Sequence, residues 1–79
     1  MKKTIHSPDY RRLLRLLKEA RSARRLTQED VARELGWTQS FVSKCERGER
    51  RLDVLELAAL ARVYRRPLTH FLRFTSRVQ

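Results

Sequence analysis

A chain of 79 residues forms one domain around one small core and leaves no room for a second sensing or catalytic unit. Its 19 Lys and Arg against 9 Asp and Glu give a net charge of +10, which calls for a polyanion: nucleic acid first, an anionic membrane surface second. One cysteine, Cys45, excludes an intrachain disulfide and a cysteine-based zinc site, and the isolated His6 and His70 supply no metal ligand set. No acid–base pair, activated nucleophile or phosphate loop stands out, so the reading is not an enzyme and needs no cofactor. The start MKKTIHSPD has no apolar stretch after its charges, and no run is long enough to span a bilayer. A soluble cytoplasmic protein, bacterial or phage-derived, is expected.

Residues 1–6 read as a flexible basic arm carrying Lys2 and Lys3, residues 7–74 as the domain, and 75–79 as a tail. A first helix is predicted from Ser7, with serine as the N-cap, Pro8 at the first helical position and Asp9 at the positive end of the dipole. Tyr10, Leu13, Leu14, Leu17 and Ala20 give it one apolar face, opposite Arg11, Arg12, Arg15 and Lys18. It should end near Arg24 or Arg25.

The run Thr27 to Gly48 predicts two short helices, about Gln28 to Leu35 and Gln39 to Arg47, joined by Gly36, Trp37 and Thr38. Thr27 caps the first with Asp30 as its capping-box partner, and Leu26 and Val31 form a hydrophobic staple. Gly36 suits a left-handed residue after Leu35. Thr38 caps the second helix, stapled by Trp37 and Val42. By angle, Gln39, Ser40, Ser43, Lys44 and Arg47 share a polar arc, and Phe41, Val42 and Cys45 an apolar one.

After the loop of Gly48, Glu49, Arg50 and Arg51, a fourth helix is expected behind an Asp53/Glu56 capping box with Leu52 and Leu57 as its staple. It is apolar nearly all round, which predicts a central, well-buried helix. Pro67 stops it. A short fifth helix, about Leu68 to Phe74, offers Leu68, Phe71 and Leu72 to the core.

Two helices in this register are the pattern that presents a second helix to the DNA major groove. Amides, hydroxyls and basic groups early in that helix can read base edges, and Gln39, Ser40, Ser43 and Lys44 are such residues. Leu26, Thr27, Gln28, Ala32, Gly36, Val42, Glu46, Gly48, Leu57, Ala61 and Leu72 resemble the Cro-like phage-repressor (XRE) family over residues 10–72. The resemblance implies an all-α, compact, lambda-repressor-like bundle of five short helices, the second and third forming the helix-turn-helix. It implies that Gln28 contacts a phosphate and braces Gln39. Gln39, Ser40 and Lys44 would face bases, and Ser43 a phosphate or a base. Arg47, Arg50 and Arg51, together with the Thr27 cap, would hold the backbone. Arg21 would pair with Glu46, either to fix geometry or as an exposed pair of little worth. Three positions depart from the family: Leu26 follows Arg24 and Arg25 where a glycine is usual, Trp37 replaces a smaller aliphatic residue, and Cys45 stands at an aliphatic position. Phe41 can pack or reach a thymine methyl, and packing is favoured.

The motif itself is nearly neutral. Residues 26–53 carry five basic and six acidic side chains, whereas residues 1–25 carry nine and two. The arm and first helix are therefore expected to add sequence-independent backbone affinity. The function expected is sequence-specific double-stranded DNA binding by a transcriptional regulator, a repressor acting as a homodimer on a two-fold symmetric operator. Leu68, Phe71, Phe74 and Val78 are the candidate self-contact. The alternative is an antitoxin-like protein-interaction module that autoregulates through the same domain. No small-molecule effector is evident.

Overall fold

Every helix predicted from caps and periodicity is present in the computed structural model, which describes residues 7–74. The expected arm and tail, with Lys2, Lys3 and Val78, lie outside the described residues, as does the side chain of Phe74. The helices are α1 (Pro8–Ala23), α2 (Gln28–Leu35), α3 (Gln39–Glu46), α4 (Val54–Val63) and α5 (Leu68–Phe71), with a closing 3₁₀ turn at Leu72–Phe74. Among the described residues there is no strand, and no helix is long and apolar enough to cross a membrane.

The start of each of the first four helices follows local chemistry. Ser7 accepts from Tyr10 N–H at 3.1 Å and Thr38 from Phe41 N–H at 3.0 Å. Thr27/Asp30 and Asp53/Glu56 each form a reciprocal capping box.

Helix ends are a different case. After α1, Leu26 N–H reaches Arg21 C=O and Arg25 N–H reaches Ser22 C=O. After α4, Arg66 and Arg65 make the same pair of bonds to Ala61 and Arg62. This is the Schellman closure, which needs a left-handed residue. Gly48 fills that position after α3 with φ 78°, but Arg25 and Arg65 fill it at 57° and 60°. An L-residue there costs about 1 kcal/mol relative to its ordinary conformations, so α1 and α4 close without the glycine that marks such ends in a sequence. At Gly48 there is a second demand. A Cβ would stand 3.3 Å from Leu14 Cδ1, so α1 and the end of α3 meet closely there.

The core is built from Leu13, Leu14, Leu17 and Ala20 of α1, Val31 and Ala32 of α2, Val42 and Cys45 of α3, Leu57, Leu60 and Ala61 of α4, then Tyr64 and Phe71. Cys45 is a small core residue, its thiol pushed up by burial. Tyr64, 1% exposed and absent from the sequence-derived core, also has its hydroxyl pushed up by burial. Helices α2 and α3 pack on α1 and α4, which hold the helix-turn-helix from behind.

Three expectations are corrected. Leu72, expected in the core, is 39% exposed at the closing 3₁₀ turn. Helix α4 is not buried all round: Val54 is 66% and Leu55 77% exposed, because its hydrophobic partners lie only on the side of Leu57, Leu60 and Ala61. Phe71 cannot serve as a self-contact, since it is fully buried in the core, and Leu68 packs half-buried against it.

Candidate nucleic-acid interface

The turn between α2 and α3 sets how α3 is presented. Gly36 sits at φ 72° with open space where a Cβ would be, so its role is conformational. Val42 and Cys45 anchor α3 to the core, while Gln39, Ser40 and Lys44 are exposed on its other face. Ser43 is half-buried, and its hydroxyl accepts a hydrogen bond from Arg47. Three of the four expected base readers thus face solvent directly, and the fourth is engaged with its neighbour one turn on.

A polar relay runs behind Gln39. Arg21 holds Glu46 through two bonds, Nε to Oε2 at 2.6 Å and Nη2 to Oε1 at 3.0 Å, and spends Nη1 on Leu26 C=O at 2.9 Å. The two side chains are 18% and 10% exposed, so this is not an exposed pair. The hydrogen bond to Glu46 raises the Arg21 pKa against the opposing effect of burial. Gln28 donates Nε2 to Glu46 Oε1 at 2.9 Å, and Gln39 donates Nε2 to Gln28 Oε1 at 2.6 Å. Amide orientation follows from the network. A carboxylate can only accept, so Gln28 must turn its NH2 to Glu46 and its oxygen to Gln39. Gln39 is left with its carbonyl oxygen and a second N–H, the acceptor and donor that match the N6 and N7 of adenine.

The sequence matches the helix-turn-helix family over residues 17–71. Among solved structures, an XRE-family like protein from Pseudomonas syringae pv. tomato str. DC3000 is 48% identical. It superimposes with a TM-score of 0.80, covering 92% of this chain and 91% of that one. The chain belongs to the XRE family of helix-turn-helix proteins. No curated protein matches it.

In this XRE domain two arginines of the loop after α3 already have partners within the chain. Arg47 caps α3 and grips Glu49 with two bonds, at 2.9 and 3.1 Å. The pair lowers the Glu49 pKa and raises that of Arg47. Arg50 donates to Glu56 Oε1 at 2.9 Å and to Arg51 C=O at 2.6 Å, and its guanidinium lies 4.5 Å over the Phe41 ring. Phe41 in turn meets Trp37 edge-on, with centroids 4.9 Å apart. Phe41 therefore packs, and it packs on the turn and the α3–α4 loop. Arg51 is exposed beside them. Thr27 is exposed at the α2 cap with its hydroxyl accepting from Asp30 N–H.

Sequence reasoning missed several residues. Tyr10 accepts from Leu52 N–H at 3.0 Å and so fixes the α3–α4 loop to α1. Arg24 donates to Val63 C=O at 3.1 Å, tying the end of α1 to α4. Arg25 joins Arg21, Thr27, Gln28 and Gln39 around an open cleft of about 710 Å³; the missing glycine before Leu26 was the one sign of it. Among the described residues, no group of three or more His, Cys, Asp or Glu could hold a metal ion.

Proposed function

We propose that this XRE-family protein is a sequence-specific double-stranded DNA-binding regulator, acting as a repressor and as a homodimer on a two-fold symmetric operator. The observation that carries it is the relay from Arg21 through Glu46 and Gln28 to Gln39. An exposed glutamine on a helix normally samples many rotamers; here its amide is held before any ligand arrives, which lowers the entropic cost of reading a base. Gln39, Ser40 and Lys44 read base edges, Lys44 preferring guanine O6 or N7. Gln28, Thr27, Arg47 and Arg51 contact the backbone, Ser43 supports Arg47, and Arg50 holds the loop.

One α3 reads too few base pairs for genomic specificity, which favours two copies on DNA. With Phe71 in the core, the large exposed apolar side chains among the described residues that a second copy can cover are Val54, Leu55 and Leu72. Selection from random duplex DNA at fixed salt should enrich a half-site repeated about one helical turn apart. Enrichment of no site would sink the sequence-specific reading. A single unrepeated half-site would remove the dimer alone.

A further inference from the structure

Between α1 and the end of α3, a groove of about 600 Å³ is lined by Arg11, Arg15 and Lys18 of α1, by Glu46, and by Arg47 and Glu49. The three α1 cations sit at i, i+4 and i+7, so they share one face. Neighbouring like charges on such a face oppose each other. Both acids of the groove are engaged: Glu46 with Arg21 and Gln28, Glu49 with Arg47. The two engagements differ in kind. The Arg21–Glu46 side chains are 18% and 10% exposed, whereas those of Arg47 and Glu49 are 55% and 53% exposed. A pair that open to water is weakly held, so a phosphate can compete for Arg47 where it cannot compete for Arg21.

We propose that this groove is a second seat for the DNA backbone, in which a phosphate replaces Glu49 as the partner of Arg47 and is met from the α1 side by Arg15 and Lys18. The proposal rests on the DNA-binding reading and adds a contact outside the motif. It gives Glu49 a function: its carboxylate neutralises Arg47 in the free protein and holds down affinity for DNA of any sequence. Arg15 and Lys18 raise that affinity without reading bases. The reader, at the start of α3, is separate from this seat at its end.

The test uses the full chain, a duplex carrying the selected site and a random duplex of equal length, with binding measured across a salt series. The Arg15→Gln/Lys18→Gln variant should weaken both duplexes alike, roughly 10-fold at low salt, and lower the slope of log K against log salt by up to about one, the share of the one phosphate seated there. Glu49→Gln should tighten both roughly three-fold and raise the slope by about one. Glu34→Gln, an exposed acid on α2, controls for net charge. All four residues involved are exposed, and far-UV circular dichroism checks that the variants fold. If the double variant keeps wild-type affinity and slope, the groove is not a backbone seat. If Glu34→Gln matches Glu49→Gln, no exchange at Arg47 occurs. If the wild type binds neither duplex, the DNA-binding reading itself fails; if it discriminates between duplexes while the variants behave as wild type, only this proposal does.

Discussion

The two ends of α3 are built on opposite principles. At its start, Gln39 is fixed by a relay that passes through a bidentate, largely buried Arg21–Glu46 pair and ends on α1. At its end, Arg47 and Glu49 form an equally well-directed pair that stands more than half in water. Bond lengths are alike; surroundings are not. Burial turns the first pair into a structural fixture, because neither partner can lose the other without leaving a desolvated charge. Exposure leaves the second pair exchangeable, because water or phosphate can stand in for either partner. Base reading requires a side chain held in place, and backbone gripping requires one that can let go.

The strongest challenge to that contrast is Glu46→Ala. It leaves Arg21 without its carboxylate and Gln28 without its acceptor, and should cost about 2–3 kcal/mol in a urea melt. Glu49→Ala should leave the urea midpoint close to that of the wild type. Equal losses would show that burial does not separate the two pairs. Arg50→Ala stands between them. It removes the stacking on Phe41 and a partly exposed bond to Glu56, and should lower the midpoint more than Glu49→Ala and less than Glu46→Ala; a loss as small as that of Glu49→Ala would mean the loop is held from Tyr10 alone.

A smaller effect sharpens the role of the α1 end, on which the relay depends. Arg25→Gly should stabilise by about 0.5 kcal/mol, the left-handed strain relieved being partly offset by the greater unfolded-state entropy of glycine. Destabilisation by Arg25→Gly would mean that the arginine side chain contributes more than its backbone conformation costs.

The smallest effect is in pH. Glu49 is held below its ordinary value of 4.5 by Arg47, and Asp30 below 3.8 by its bonds to Thr27 and then by Arg33. A carboxylate depressed in the folded state adds stability that is complete above its unfolded pKa and is lost as the pH falls through its folded pKa. Thermal melts should therefore drop on acidification below the ordinary carboxylate range. Glu49→Gln and Asp30→Asn should each flatten that drop, the effect at Glu49 being weakened further by salt. An unchanged pH profile in both variants would place the acid sensitivity elsewhere.

Much of this was legible in the residues. Thr27, Asp30, Gly36 and Thr38 announced α2, the turn and α3 because a cap binds backbone within three or four residues of itself, and that chemistry is written in consecutive letters. The spacing of Leu13, Leu14, Leu17 and Ala20 gave the buried face of α1 for the same reason. Arg25 and Arg65 stand where glycine is the usual signal, so the ends of α1 and α4 were legible only from the Thr27 cap and from Pro67 that follow them.

By itself, then, the sequence determined the helices, their order and which polar side chains share the outer face of α3, since caps and periodicity act over one or two turns. Tertiary structure alone decided that Val54 and Leu55 face water, that Phe71 belongs to the core, that Arg50 lies over Phe41, and that Glu46 is largely buried while Glu49 stands in water. Each of these depends on which side chains from distant parts of the chain meet and on how much water remains between them, and neither the strength of an ion pair nor the burial of an apolar face exists until they do.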